Sequence, residues 1–188
     1  PETAKKFAAL GATLRMEQSA GIQSHLLDSA YPEVTMVDGI REAYGSANLI
    51  LRVNFPSTAE IEAMPVGAVL IGLLKPFESK EHLAALNARK ITAFALELLP
   101  RISRAQSMDA LSSQANTGGY KAVLIAANTY GRYFPLLTTA AGTAKPANVL
   151  ILGIGVAGLQ AIGTARRLGA VVAAYDVRPE TAEQAESL

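Results

Sequence analysis

Gly153, Gly155 and Gly158 fall at the spacing G-x-G-x-x-G, directly after the apolar run Val149-Leu150-Ile151-Leu152 and at the start of a helix-like segment. Glycines in that frame suit a phosphate cradle. The first makes a tight turn, the second lets the backbone approach a pyrophosphate, and the third lets the helix pack closely on the strand. The unpaired N–H groups and positive dipole end of the helix then face the phosphates. Val156 and Ala157 open that helix and join the candidate site. Asp176 closes the next apolar run, 23 residues after Gly153. A carboxylate there can accept hydrogen bonds from the adenosine ribose hydroxyls, and it repels a 2′-phosphate. These residues predict dinucleotide binding, NAD(H) rather than NADP(H), with Asp176, Val177 and Arg178 at the ribose end. Arg178 weighs the other way, because a nearby arginine can accommodate a 2′-phosphate. Otherwise it is a solvated residue before Pro179. The competing reading of the three glycines is a turn kept small for packing alone.

A second cluster runs from Arg101 to Asn116 and holds two arginines, Gln106, Asp109, Ser112 and further Ser, Gln and Asn residues. It falls between two candidate domains, where clefts bind ligands. The plain alternative is a helix N-terminus with serine caps and solvated arginines. The two histidines, His25 and His82, are far apart in sequence and read as solvated helix residues.

The 188 residues include no cysteine, which excludes disulfides, thiolate metal sites and cysteine nucleophiles. No metal is expected at the site. Seventeen basic and 16 acidic residues leave a net charge of +1, without the basic stripe that nucleic-acid binding needs. Half the residues are hydrophobic, which excludes a disordered chain. Pro1 to Lys6 is polar and unlike a signal peptide. The uncharged stretch Pro146–Ala165 is about long enough to span a bilayer. Its leading proline, four glycines and β-branched opening instead favour strands buried on both faces, together with subunit or domain contacts.

The elements that must position these residues alternate. Helices are expected over 1–10, 24–30, 39–44, 58–64 and 79–89, with Ser79 and Glu81 near the start of the last. Strands are expected over 13–17, 34–37, 48–53, 67–74 and 91–96. Five strands separated by helices predict right-handed βαβ units and a parallel sheet. A long helix is expected over 120–133 and a loop over 138–147. Strand 148–152, helix 156–168 and strand 171–175 then form a second α/β unit. The expected fold is α/β, with two Rossmann-like parallel-sheet domains. Residues 1–119 form the first, 120–144 a linking helix and loop, and 145–188 the start of a second, NAD(H)-binding domain. That second domain is incomplete, because a full dinucleotide fold needs two such halves.

The run Arg101–Asn116, the loop Ala140-Ala141-Gly142-Thr143, the turn Val149–Gly158 and Asp176-Val177-Arg178 together resemble the α subunit of proton-translocating NAD(P) transhydrogenases. More narrowly, they resemble its soluble NAD(H)-binding domain, which continues well past Leu188. The resemblance implies direct hydride transfer from NADH to the NADP(H) cofactor, in its oxidised form, held by a partner domain. That transfer is coupled to proton movement in a membrane-embedded domain. The resemblance places Arg101, Gln106, Asp109 and Ser112 at the nicotinamide end, with Gln106 reaching toward the partner's nucleotide. It further implies a homodimer at the cytoplasmic face of a bacterial membrane, or in the mitochondrial matrix for a eukaryotic source. Such chemistry needs two rings held in contact with water excluded, so it depends mainly on positioning. Arg101 can pair with Asp109 or stand near the cofactor phosphates; the residues leave both open.

Alanine dehydrogenase, of the same architecture, is the rival resemblance. Its substrate-binding lysine and proton-transfer histidine are matched here by Asn54 and Lys75. Asparagine offers no cation to a carboxylate. A lysine with a reference pKa near 10.4 shuttles protons poorly at neutral pH. A non-catalytic NAD-binding module is the third reading; it would keep the glycines and Asp176 without needing Gln106.

Overall fold

The computed structural model describes residues 1–78 and 80–188. The chain divides into two compact units, Pro1–Pro100 and Arg101–Leu188.

In the first unit, α1 (Glu2–Ala9) begins after Pro1, with Glu2 in its first turn and Lys6 in its last, the charge order that suits the helix dipole. Strand β1 (Leu14–Glu17) pairs in parallel with β2 (Val34–Val37). The helix expected over 24–30 is absent. Two single 3-10 turns, Ile22–Ser24 and Asp28–Ala30, stand there instead. The Asp28 carboxylate accepts the Ser19 N–H at 3.0 and 3.1 Å, and His25 ends the first turn at φ +57°. A side chain that bonds distant backbone competes with helix formation.

After α2 (Ile40–Tyr44), strands β3 (Leu49–Leu51), β4 (Val69–Gly72) and β5 (Thr92–Ala95) form a parallel three-stranded ladder. The crossovers are α3 (Thr58–Ala63) and α4 (Lys80–Ala88). Ser57 and Glu60 make a reciprocal capping box at the start of α3, and Pro65 follows its end. Ser79, expected near the start of α4, lies outside the described residues. Ile50, Ile61, Met64, Leu70, Leu74 and Leu86 form the core, with the buried Tyr44. Arg52 donates to Tyr44 at 2.5 Å and to Glu60 at 3.0 Å beside it. His82 is half-buried on α4, its ring centroid 4.7 Å from that of Phe55, rather than fully solvated.

The second unit opens on a polar 3-10 segment, Ser103–Met108, and then α5 (Ala110–Thr129). This helix begins ten residues before the expected start at Tyr120. Its covered positions before Val123 include Ser112, Ala115 and Gly119, small residues at helical spacing that give almost no apolar signal. Residues 138–147, expected as loop, include an antiparallel hairpin of β6 (Leu137–Thr139) and β7 (Gly142–Ala144). The hydroxyls of Thr138 and Thr143 lie 3.2 Å apart across it.

Strands β8 (Asn148–Leu152) and β9 (Val171–Tyr175) pair in parallel around α6 (Val156–Arg167), within one residue of expectation. A short α7 (Thr181–Glu186) follows. Val149, Ile151 and Val172 pack against a core of Val123, Phe134, Ala147, Ala161 and Ala165. Leu150, Leu152, Val171 and Tyr175 alternate with them and are exposed. The expectation of strands buried on both faces is therefore not met in this unit: the alternation gives one covered face and one open one.

Candidate dinucleotide-binding site

The glycine turn joins β8 to α6, and its three glycines differ in what fixes them. Gly153 has φ +93°, a backbone that side-chain-bearing residues rarely adopt. A Cβ on Gly158 would run into the Gly153 carbonyl, so the helix could not close on the turn. Gly155 has extended backbone, φ −88° and ψ −167°, and a Cβ there would meet nothing within 4 Å. Nothing among the described residues holds Gly155 to glycine, and bare backbone there would let a ligand lie against it. Gly155 is the N-cap of α6 and supplies no side-chain cap, so the first-turn amides keep their donors for an anion. The turn therefore fits a pyrophosphate.

Asp176 follows β9 and closes the turn from the other side. Its carboxylate accepts the Ile154 N–H at 2.6 Å, and Gly153 N–H donates to the Tyr175 carbonyl at 2.8 Å. Arg178 binds the same carboxylate through its backbone N–H at 2.9 Å, Nε at 3.0 Å and Nη2 at 2.9 Å. The Arg178 guanidinium, and then its backbone amide and that of Ile154, hold the Asp176 carboxyl far below the ordinary carboxylate range. Arg178 is thus an ion-pair partner rather than a merely solvated residue. Val177 beside it is exposed, as are Val156 and Ala157. A concavity of about 470 Å³ adjoins Asp176 and Arg178, lined also by Ile162, Val172 and Ala185.

The polar run resolves into a helix start. Asp109 is the N-cap of α5, accepting the Ser112 N–H at 2.8 Å and the Ser112 hydroxyl at 2.6 Å. Ser113 donates its hydroxyl to the Asp109 carbonyl at 2.9 Å. The Ser112 hydroxyl, and then its amide, lower the Asp109 pKa; the charge of Arg101 adds a smaller effect. Among the described residues no ion pair joins Arg101 to Asp109. Gln106 and Arg101 are exposed. Replacing Asp109 by alanine should lower the melting temperature by about 2–4 °C, the usual cost of a lost N-cap in a chain of this size. Differential scanning calorimetry of Asp109→Ala beside Asp109→Asn, which keeps a capping oxygen, checks this.

One residue outside the sequence reading ties the two clusters together. Gly119, buried on α5, sits so close to the Ala157 carbonyl in the first turn of α6 that a Cβ would overlap it. The Gly118-Gly119 pair just before the expected helix was its available signal. α5 therefore carries the Asp109 cap at one end and rests on the glycine-turn helix at Gly119.

Parallel ladders, a glycine turn closed by an acidic residue at the next strand end, and a helix N-terminus left open to anions define a Rossmann-like α/β dinucleotide-binding protein. The chain belongs to the alanine dehydrogenase/PNT family: residues 1–118 match its N-terminal domain and 122–188 its C-terminal domain. It is 48% identical to an NAD(P) transhydrogenase subunit alpha chain of Rhodospirillum rubrum, over the whole of this chain and 51% of that protein. The crystal structure of transhydrogenase from Sinorhizobium meliloti superposes with a TM-score of 0.94 at 47% identity, over 99% of this chain and 56% of that one. An L-alanine dehydrogenase structure superposes with a TM-score of 0.84 at 25% identity, over 100% and 52%. The chain spans about half the length of the curated relatives it matches. Among the described residues no helix is long and apolar enough to cross a membrane.

Proposed function

We propose that this chain is the NAD(H)-binding component of an NAD(P) transhydrogenase. Hydride passes directly between NADH held here and NADP⁺ on a partner domain, coupled to proton translocation by a membrane-embedded domain. Gly155 carries the reading: a glycine that nothing in the chain requires, at the one position where a pyrophosphate needs bare backbone. The likeness to NAD(P) transhydrogenase subunits supports the reaction.

The bound dinucleotide supplies the nicotinamide from which hydride leaves. Gly153, Gly155, Val156, Ala157 and Gly158 cradle its phosphates, and Asp176, Val177 and Arg178 form the ribose end. Arg101, Gln106, Asp109 and Ser112 serve the nicotinamide end, with Asp109 and Ser112 fixing the start of α5 and exposed Gln106 turned to the partner's nucleotide. Catalysis here is positioning and exclusion of water; no general acid or base is needed. A homodimer, peripheral on the cytoplasmic side of the bacterial inner membrane or in the mitochondrial matrix of a eukaryote, completes the proposal.

Lys75 supports this over amino-acid dehydrogenation. Its ammonium is exposed and lies 3.2 Å from the Glu78 carboxylate, while its backbone, at φ +41° before Pro76, donates its N–H to Glu97. An exposed ammonium set against a neighbouring carboxylate is not placed for proton transfer to a bound substrate.

The test mixes the natural protein with an isolated transhydrogenase NADP-binding domain and follows NADH-dependent reduction of an NADP⁺ analogue. A parallel reaction offers pyruvate and ammonium without the partner. Transfer that requires the partner is the expected result, and Gln106→Ala should slow it at least tenfold with NADH affinity unchanged. Turnover of pyruvate and ammonium would overturn the reading.

A further inference from the structure

The Asp176 carboxylate is nearly enclosed, its side chain only 6% exposed, and a carboxylate offers about four lone-pair positions. All four are filled within the chain. On Oδ1 stand the Arg178 backbone N–H and Nε–H; on Oδ2 stand the Ile154 N–H and the Arg178 Nη2–H. A ribose diol that binds this carboxylate needs two of those positions. The backbone donors of Ile154 and Arg178 belong to the turn and to the loop after β9, and they cannot leave without unmaking them. The guanidinium can. Its side chain is 52% exposed, and it reaches Asp176 from only two residues away.

We propose that Arg178 is a displaceable plug: its guanidinium fork stands in for the ribose diol on Asp176, and nucleotide binding exchanges two N–H···O bonds for two O–H···O bonds. The proposal rests on the dinucleotide reading of the turn and assigns Arg178 a part in setting its affinity. A charge-assisted fork is strong in isolation. At half exposure, solvent screens it to a modest net worth, so the exchange is feasible and not prohibitive. The displaced guanidinium stays tethered beside the ribose. There it favours a 2′-phosphate, which Asp176 alone would repel. The plug therefore holds NADH affinity down and narrows the preference for NADH over 2′-phosphorylated nucleotides.

Nucleotide titrations of the natural protein and its Arg178→Ala and Arg178→Lys variants test this. Arg178→Ala should bind NADH and 5′-AMP about two- to fivefold more tightly, the worth of a partly exposed ion pair. It should bind 2′,5′-ADP several-fold more weakly. The gain should vanish for 2′,3′-dideoxy-AMP, which has no diol to exchange for the fork. Arg178→Lys, a cation without the fork, should fall between the two. Normal NADH binding by the wild type, with no tightening in Arg178→Ala or an equal gain for the dideoxy nucleotide, would overturn the plug and leave the dinucleotide site standing. A wild type that binds no NADH would overturn the site and the plug with it.

Discussion

Gly155→Ala should weaken NAD(H) binding severely while the fold stays intact. The backbone at Gly155 is extended, a conformation alanine adopts freely, and the added methyl meets nothing within 4 Å. Reducing the freedom of the unfolded chain should even add about 0.5 kcal/mol of stability. The methyl would instead occupy the space where a pyrophosphate must touch the backbone. Loss of that approach should weaken NADH binding at least about 100-fold, or roughly 2.7 kcal/mol. Gly158→Ala should behave in the opposite way. Its methyl collides with the Gly153 carbonyl, so α6 must move off the turn at a cost of about 3 kcal/mol of stability. Calorimetry and NADH titration on the same two variants separate a glycine kept for a ligand from one kept for the fold. Unchanged NADH affinity in Gly155→Ala would remove the phosphate cradle from the proposal.

Gly119→Ala is the second large effect expected. The new methyl overlaps the Ala157 carbonyl, and the obstacle is backbone in the first turn of α6, which cannot rotate aside as a side chain would. α5 must shift or tilt. Overpacking of this kind costs about 2 kcal/mol. The functional loss should exceed what stability explains. Asp109 lies ten residues before Gly119, about 15 Å up a rigid helix, so a small tilt at the contact displaces the capped end. NADH should still bind within a few-fold, whereas hydride transfer should fall at least about tenfold, as misplacement of reacting groups does. Gly118→Ala, whose methyl meets nothing within 4 Å, is the matched control and should leave both unchanged.

Most of the ladder strands, and the helices joining them, were legible because their residues announce them. The run Asn148–Leu152, the stop at Gly169 and the strand Val171–Tyr175 follow from apolar runs and glycine punctuation. The start of α5 was not legible. The covered positions of its first half are Ser112, Ala115 and the buried Gly119; Gly119 lets another helix come close, and hydrophobicity does not register closeness. The hairpin at 137–144 escaped for a related reason, since Thr, Ala and Gly alternate no apolar face. The candidate site was legible in its glycines and in Asp176. The second occupant of that carboxylate was not: spacing shows which residues are near in sequence, while the filling of each lone pair is a matter of geometry.

The ties of Ile154 to Asp176 and of Gly153 to Tyr175 bear on the thermodynamics of ligand capture. Together with the β8–β9 ladder they pin the start of the glycine turn before any nucleotide arrives, and its other end is already the first turn of α6. The conformational entropy of ordering that loop is spent in folding, so binding has little backbone disorder left to remove. On the dinucleotide reading proposed above, the start of the turn would act as a rigid template, with adjustment on binding confined to side chains at its rim.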